Sequence, residues 1–300
     1  GKEEDRDHAE DIGEDSAPAL LTSIPAPWLA YAYQYDKRAP PLIRLHNEIL
    51  TCCEYISPSI HEMKERELVL AEITDLIHSV WPQTTVSVFG SQMTKILTPT
   101  SDLDILVMGV PENKRDSSEA YFTLGEKIKD SNLVSYVECI TNAKVPIVKL
   151  DHKKTGISVD ICFNNDSGLR TGTLIRQFVK DYPPLRPMVL ILKIFLTQRR
   201  MNETYSGGIG SFVLTLMIVS FLQMKQRQCA SRPVHPDTGA STSLPEPSWN
   251  LGTLLLEFLH LYGVTFNYFS TGISLPDGGS YLVKRKRAKQ EGNNARLAFD

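Results

Sequence analysis

From Leu42 the apolar residues Leu42, Ile43, Leu45, Ile49 and Leu50 recur at three- and four-residue spacing, the period of an amphipathic helix. Ser57-Pro58 interrupts the pattern. It resumes from about Ser59 to Val80 through Met63, Leu68, Val69, Ile73, Ile77 and Val80. Trp81-Pro82 closes this second helix, and the period drops to two. Thr85–Phe89 and Leu103–Val110 read as strands, with a Gly-Ser turn and a short helical piece between them. Residues 116–130 read as a helix, and Val134–Ile140, Val145–Leu150 and Ile157–Phe163 as three further strands. The helical period returns over about Gly168–Asp181, Pro184–Arg200, Gly208–Gln226 and Leu251–Tyr262. Residues 227–248, rich in Pro, Ser and Thr, read as a loop, and the tail from Gly278 as polar and irregular. The predicted order is a helix, an α/β block of about a hundred residues, and a helical block. If the first helix packs on the last block, the α/β block is an insertion in space.

Length and composition narrow this little. Three hundred residues at 42% hydrophobic suit one large domain or two that share an interface, with a substantial core. The longest apolar run, Phe212–Leu222, is broken by Thr215 and Ser220 and is too short to span a membrane, so a buried helix and no membrane partner are expected. No charged-then-apolar start with a cleavage site is visible. The five cysteines, Cys52, Cys53, Cys139, Cys162 and Cys229, form no zinc-ligand spacing. Their odd number fits a reducing compartment, cytoplasm or nucleus, and Cys162 reads as a small core residue. The net charge of −3 hides an acidic start: residues 1–16 hold eight acids against Lys2 and Arg6. Such an aromatic-free stretch predicts a disordered tail over 1–25, ahead of a mildly basic body. Near the other end Lys284-Arg285-Lys286-Arg287 reads as a solvated loop, an RNA phosphate contact or a nuclear address.

The chemistry gathers around Gly90-Ser91 and Ser101-Asp102-Leu103-Asp104. Alternation along a strand puts the Asp102 and Asp104 carboxylates on one face, where they repel unless a cation neutralises them. Hard oxygen ligands suit Mg²⁺ or Mn²⁺. A bare Asp-x-Asp is more often a solvated strand end, but three neighbours weigh against that reading. Gly90-Ser91 is a tight turn whose N–H groups and hydroxyl suit a phosphate. Asp160 is a lone acid inside an apolar strand, costly without a partner, and a metal serves if this strand lies beside Asp102–Asp104. Lys193 stands in an apolar helix, as a snorkelling lysine or as a phosphate partner. Three carboxylates, a Gly-Ser turn and a lysine suit phosphoryl transfer with two metal ions roughly 3.5–4 Å apart.

Gly-Ser followed about ten residues later by Asp-x-Asp, with a third Asp in a strand, resembles the DNA-polymerase-β-like nucleotidyltransferase superfamily. Trp81-Pro82, Val88-Phe89-Gly90-Ser91, Val145-Pro146-Ile147-Val148-Lys149-Leu150, Val159-Asp160-Ile161-Cys162-Phe163-Asn164, Gly207-Gly208-Ile209-Gly210-Ser211-Phe212, Phe266-Asn267-Tyr268, Thr271-Gly272-Ile273 and Asp277-Gly278-Gly279-Ser280-Tyr281 are similar, in order, to the noncanonical poly(A) polymerases of the TRAMP type. The resemblance covers about residues 40–283.

It implies an α+β protein: a polymerase-β-like nucleotidyltransferase domain with a mixed sheet beside a mostly helical central domain, the active site in the cleft between them. The boundaries implied are a segment 26–58 packing on the central domain, a catalytic domain 59–167 and a central domain 168–300. The activity implied is template-independent transfer of AMP from ATP to RNA 3′ ends, with two Mg²⁺ or Mn²⁺ ions. The setting implied is nuclear RNA surveillance, with a zinc-knuckle RNA-binding subunit and an RNA helicase as partners. Carried onto matching positions, Asp102, Asp104 and Asp160 are the catalytic metal ligands; Gly90, Ser91, Lys193 and Ser211 hold the triphosphate; Phe212 stacks on the base; Gly168 and Thr171 contact the sugar.

Several positions depart from the family. Phe212 replaces the usual Tyr and loses a phenolic donor. Thr197 stands where related uridylyltransferases place a second basic residue, leaving Gln198, Arg199 or Lys225 as stand-ins. The chain ends at Asp300 about where the base-recognition loop would begin, so it is a trimmed piece or lacks the loop, and base choice rests on the family. Gly207-Gly208 also fits a plain helix start capped by Ser206. Phe258, Tyr262, Phe266, Tyr268 and Phe269 read as core aromatics ahead of an RNA stacking platform. Two rivals stand beside adenylate transfer: a uridylyl- or mixed-nucleotide transferase, and an inactive scaffold for RNA-processing partners.

Overall fold

A computed structural model describes residues 26–29, 38–111, 118–230 and 249–284. The acidic stretch 1–25, residues 231–248 of the expected loop and Arg285–Arg287 of the basic run lie outside the described residues. Two helices come first, α1 (Pro41–Tyr55) and α2 (Ile60–Val80). Pro at the first turn of α1 needs no N–H partner. In α2 the Ser59 side chain accepts from the Glu62 N–H while the Glu62 carboxylate accepts from the Ser59 N–H, a reciprocal cap.

The central block is β1 (Thr85–Val88), a one-turn helix α3 (Gly90–Thr94), β2 (Leu103–Met108), α4 (Glu119–Asp130), β3 (Val134–Ile140), β4 (Ile147–His152) and β5 (Ser158–Phe163). Its strands form one mixed sheet in the order β1-β2-β5-β4-β3, with β2 and β5 parallel and the other pairs antiparallel. Alternation sorts the sheet into two faces. Leu103, Ile105, Val107, Val148, Leu150, Val159, Ile161 and Phe163 turn to one side, where Val69, Ile73 and Ile77 of α2 and Leu124 and Ile128 of α4 cover them. Each such fully buried aliphatic contributes about 1.5–3 kcal/mol. The opposite face carries Asp104 and Asp160, so the pattern that builds this core also displays the acids.

The helical block follows: α5 (Ser167–Asp181), α6 (Leu185–Gln198), α7 (Ser211–Ala230) and α8 (Leu251–His260), closed by a hairpin of β6 (Thr271–Ser274) and β7 (Ser280–Val283). Residues 214–223 of α7 are all buried, as a central helix apolar on every side requires. Ile49 and Cys53 of α1 pack into this second core beside Leu185, Val189, Ile218 and Leu254. Burial pushes the Cys162 thiol in β5 up to about 11, as befits a core cysteine.

Five expectations change. The stripe expected in α1 turns partly outward, with Leu42, Ile43 and Leu50 exposed; the buried face runs through Ile49, Cys52 and Cys53. Leu68 of α2 is 65% exposed and Arg66 holds a core position instead. The tail from Gly278 is not irregular throughout, because Pro276–Gly279 turns the chain into β7. Ser206 does not cap α7: it lies in a short 3₁₀ turn, its hydroxyl donates to the Glu203 carbonyl, and the helix begins only at Ser211. The aromatics form a contact chain from Phe221 through Phe258, Tyr262 and Phe266 to Tyr268 and Tyr281, while Phe269 stands 74% exposed outside it. Among the described residues no helix is long and apolar enough to cross a membrane.

Candidate active site

Asp104 and Asp160 face each other across the parallel pair of β2 and β5, in direct register. Asp102 stands two positions before Asp104 and shares its face. The next strand adds Lys149, in register with Asp160, and its Nζ lies 3.2 Å from Asp160 Oδ1 and 3.9 Å from Asp102 Oδ2.

Gly90 follows β1 at φ +59°, a left-handed conformation that disfavours a side chain. Its need is also steric: a Cβ there would fall 1.9 Å from Asp104 Oδ2. The turn presses so closely on the acid that the Ser91 backbone N–H draws the Asp104 carboxyl down. Burial, and then the charges of Asp160 and Asp102, outweigh that pull and the nearby Lys193 ammonium, raising the Asp104 carboxyl to about 6. Burial likewise raises Asp102, against the pull of Lys149. Burial lowers the Lys193 ammonium on α6, partly offset by Asp104 and Asp102.

A cleft of about 900 Å³ opens over this corner. Gly90, Ser91, Asp102 and Asp104 line it from the sheet side, Gly168 and Thr171 from α5, Lys193 from α6, and Ser211 and Phe212 from the start of α7. Phe212 is 46% exposed, a free aromatic face in the cleft. Asp160 does not line it; it stands behind Asp104 with Lys149 as partner. Packing alone requires Gly168 to be small, since a Cβ would sit 2.5 Å from the Phe89 ring. Of the three stand-ins for a second phosphate cation, Gln198 lines the cleft. Lys225 instead pairs with Glu257 at 2.9 Å, and Arg199 lies over the Phe195 ring.

Two cations passed over in the sequence belong to this corner. Lys149 carried a signal, the one charge in the expected strand Val145–Leu150 just as Asp160 is in Ile157–Phe163. Arg66 carried another: it falls on the stripe of α2 that Val69, Ile73 and Ile77 continue. Its Nη2 donates to the carbonyls of Pro99 and Ser101, at 3.2 and 2.5 Å, just ahead of Asp102.

The three carboxylates can be tested as a home for a divalent cation. They supply hard oxygen donors, and burial, with the neighbouring acids adding to it, raises both Asp104 and Asp102, so a cation bound among them would favour their charged forms. Among the described residues no group of three or more His, Cys, Asp or Glu is drawn into a closed cage, and Lys149 holds Asp160. The donor set therefore fits Mg²⁺ or Mn²⁺ in kind, with an ammonium as its present counter-charge.

Two family models match the chain: the central palm domain of mitochondrial-like poly(A) RNA polymerase over residues 45–180, and the Cid1 family poly A polymerase domain over residues 250–298. The solved polymerase core of TRAMP, an RNA surveillance complex, superposes with a TM-score of 0.73 at 32% identity, covering 86% of this chain and 76% of that one. The chain belongs to the noncanonical poly(A) RNA polymerases of the TRAMP type. Poly(A) RNA polymerase cid14 of Schizosaccharomyces pombe is 36% identical over 266 residues, 85% of this chain. The chain spans 37% of that relative's length. A Drosophila melanogaster relative named as an inactive noncanonical poly(A) RNA polymerase, Trf4-2, is 33% identical over 89% of this chain and 63% of its own.

Proposed function

We propose that this chain carries the catalytic part of an enzyme that transfers AMP from ATP to RNA 3′-hydroxyl ends without a template. The observation that carries the reading is the register of Asp104 against Asp160, with Asp102 on the same face and the Gly90-Ser91 turn pressed on Asp104 at the floor of the cleft. Asp102, Asp104 and Asp160 would hold two Mg²⁺ or Mn²⁺ ions. Such ions, when bound, supply Lewis-acid polarisation of the attacking hydroxyl and of the phosphate oxygens. Lys193 and the Ser91 and Ser211 hydroxyls bind the triphosphate and hold its α-phosphate toward the acids. Phe212 offers its ring to the base, and Gly168 with Thr171 leaves room for the sugar. Likeness to the polymerase core of TRAMP, an RNA surveillance complex, supports RNA as substrate and a surveillance role; a zinc-knuckle subunit, a helicase and a nuclear setting are proposed from the motif resemblance alone.

The test is primer extension on a labelled single-stranded RNA with Mg²⁺ or Mn²⁺ and each nucleoside triphosphate in turn. ATP preference supports the reading, and UTP preference moves it to uridylyl transfer. Asp102→Ala with Asp104→Ala abolishes extension while the fold persists; full activity in that double variant overturns the reading. The inactive-scaffold alternative draws on the Drosophila relative. It gains only if extension fails for the full-length protein with a zinc-knuckle partner. Phe212→Ala raises the KM for ATP, since a base–aromatic stack is worth about 1–3 kcal/mol.

A further inference from the structure

Arg66 is 2% exposed, on the same face of α2 as Val69 and Ile73. A buried guanidinium is a poor way to gain stability: an apolar side chain of similar volume often serves as well or better. Its Nη1 makes no hydrogen bond among the described residues, so it does not complete a fully satisfied polar network. What Arg66 does is local. Nη2 forks to the carbonyls of Pro99 and Ser101. The turn they belong to is tied within itself, the Ser101 N–H donating to the Thr98 carbonyl at 3.0 Å and the Thr98 N–H to Ser101 Oγ at 3.0 Å. Asp102 comes next, and β2 begins one residue later. Pro99, Thr100 and Ser101 line the open cleft, so only the grip of Arg66 fastens this turn to the packed side of the domain among the contacts described.

We propose that Arg66 is a positioning residue for the candidate metal ligands: it clamps the Thr98–Ser101 turn onto α2 so that Asp102 is held on the face shared by Asp104 and Asp160. The proposal rests on the reading of those acids given above. It extends the site to a side chain buried on the far flank of the turn and touching neither nucleotide nor RNA. Both bonds leave the single nitrogen Nη2, which lies one bond farther along its side chain than a lysine Nζ, so a lysine at this position falls short of the two carbonyls.

The experiment compares Arg66→Met, Arg66→Lys and a control, Ile73→Ala, which empties a buried position farther along the same stripe. Amide exchange over residues 98–104, Mn²⁺ affinity by electron paramagnetic resonance without nucleotide, thermal midpoint, and the split of kcat against KM for ATP are measured on each. In both Arg66 variants exchange over 98–104 quickens about tenfold, as expected for the loss of a charged hydrogen bond. Mn²⁺ binding weakens about 10- to 100-fold, the usual effect of removing a support behind a ligand. kcat falls while KM for ATP holds. Ile73→Ala lowers the midpoint and leaves exchange over 98–104 and Mn²⁺ affinity unchanged.

Unchanged exchange over 98–104 in the folded Arg66 variants overturns the clamp, whatever the metal does. Faster exchange with wild-type Mn²⁺ affinity overturns the positioning role. Should Arg66→Met fail to fold, Arg66→Lys decides by the same two readings. If Asp102→Asn with Asp104→Asn leaves Mn²⁺ binding untouched, the metal reading of the acids fails, and with it the positioning of ligands. Exchange then still reports the clamp separately.

Discussion

Asp104 shows how far one side chain's properties are set by its neighbours. Its carboxyl rises from the ordinary 3.8 to about 6 through burial first and the adjacent acids second. The folded chain then holds this proton more tightly than the unfolded chain does. The stabilisation is fully present below about 4 and is lost as pH rises through about 6. In the presence of a chelator, the thermal midpoint therefore declines across that window, and Asp104→Asn flattens the decline; an equal slope in the variant would place the titration elsewhere. Gly90 answers to the same carboxylate. Gly90→Ala adds about 1–2 kcal/mol of left-handed strain and drives a methyl into Asp104 Oδ2. Primer extension should fall about 10- to 100-fold, well beyond what the lost stability explains, and an active Gly90→Ala would show that Asp104 can move aside.

Among the elements, α2 links cap, core and site. Ser59→Ala removes one half of its reciprocal cap and should lower stability by about 1 kcal/mol in urea unfolding, with the KM for ATP unchanged because the cap lies at the end of α2 before the Arg66 turn. The helices and strands of the block were readable because 3.6- and two-residue periods are imposed by packing on a flat sheet. For the same reason Asp102 and Asp104 were readable as acids on one face, whereas Asp160 joined them only if its strand lay beside theirs, as it does. Lys149 stood out as a charge, but its partner was not readable, since the pairing depends on β4 lying beside β5, a fact of strand order that no local period carries. Arg66 was missed because a long charged side chain on a helix ordinarily faces water. The stripe it shares with Val69, Ile73 and Ile77 was obscured by Leu68, which read as part of the apolar face and points out. The hairpin of β6 and β7 escaped because Pro276-Asp277-Gly278-Gly279 reads as an ending, where it is a turn between two four-residue strands.

At the scale of the molecule, two hydrophobic cores meet along one seam. At that seam α3 lies against α5 so closely that a Cβ on Gly172 would stand 2.6 Å from Met93 Sδ. Arg186 of α6 bridges it, donating to the Lys95 carbonyl at 3.0 Å and to Ser57 Oγ at 2.9 Å. Arg186→Ala should loosen the walls of the cleft against each other and raise the KM for ATP several-fold. Mn²⁺ binding should stay the same, because the three acids belong to the sheet side; isothermal titration with each ligand separates the two effects. The pairing of β2 with β5 has a wider consequence. Sliding one strand by a single residue would turn its acid inward beneath α2 and α4, among Val69, Ile73 and Leu124. A mis-threaded chain thus pays in stability before it can fail in chemistry. Folding acts as its own proofreader, and a preparation's specific activity should track its native fraction, with no well-folded but inert population.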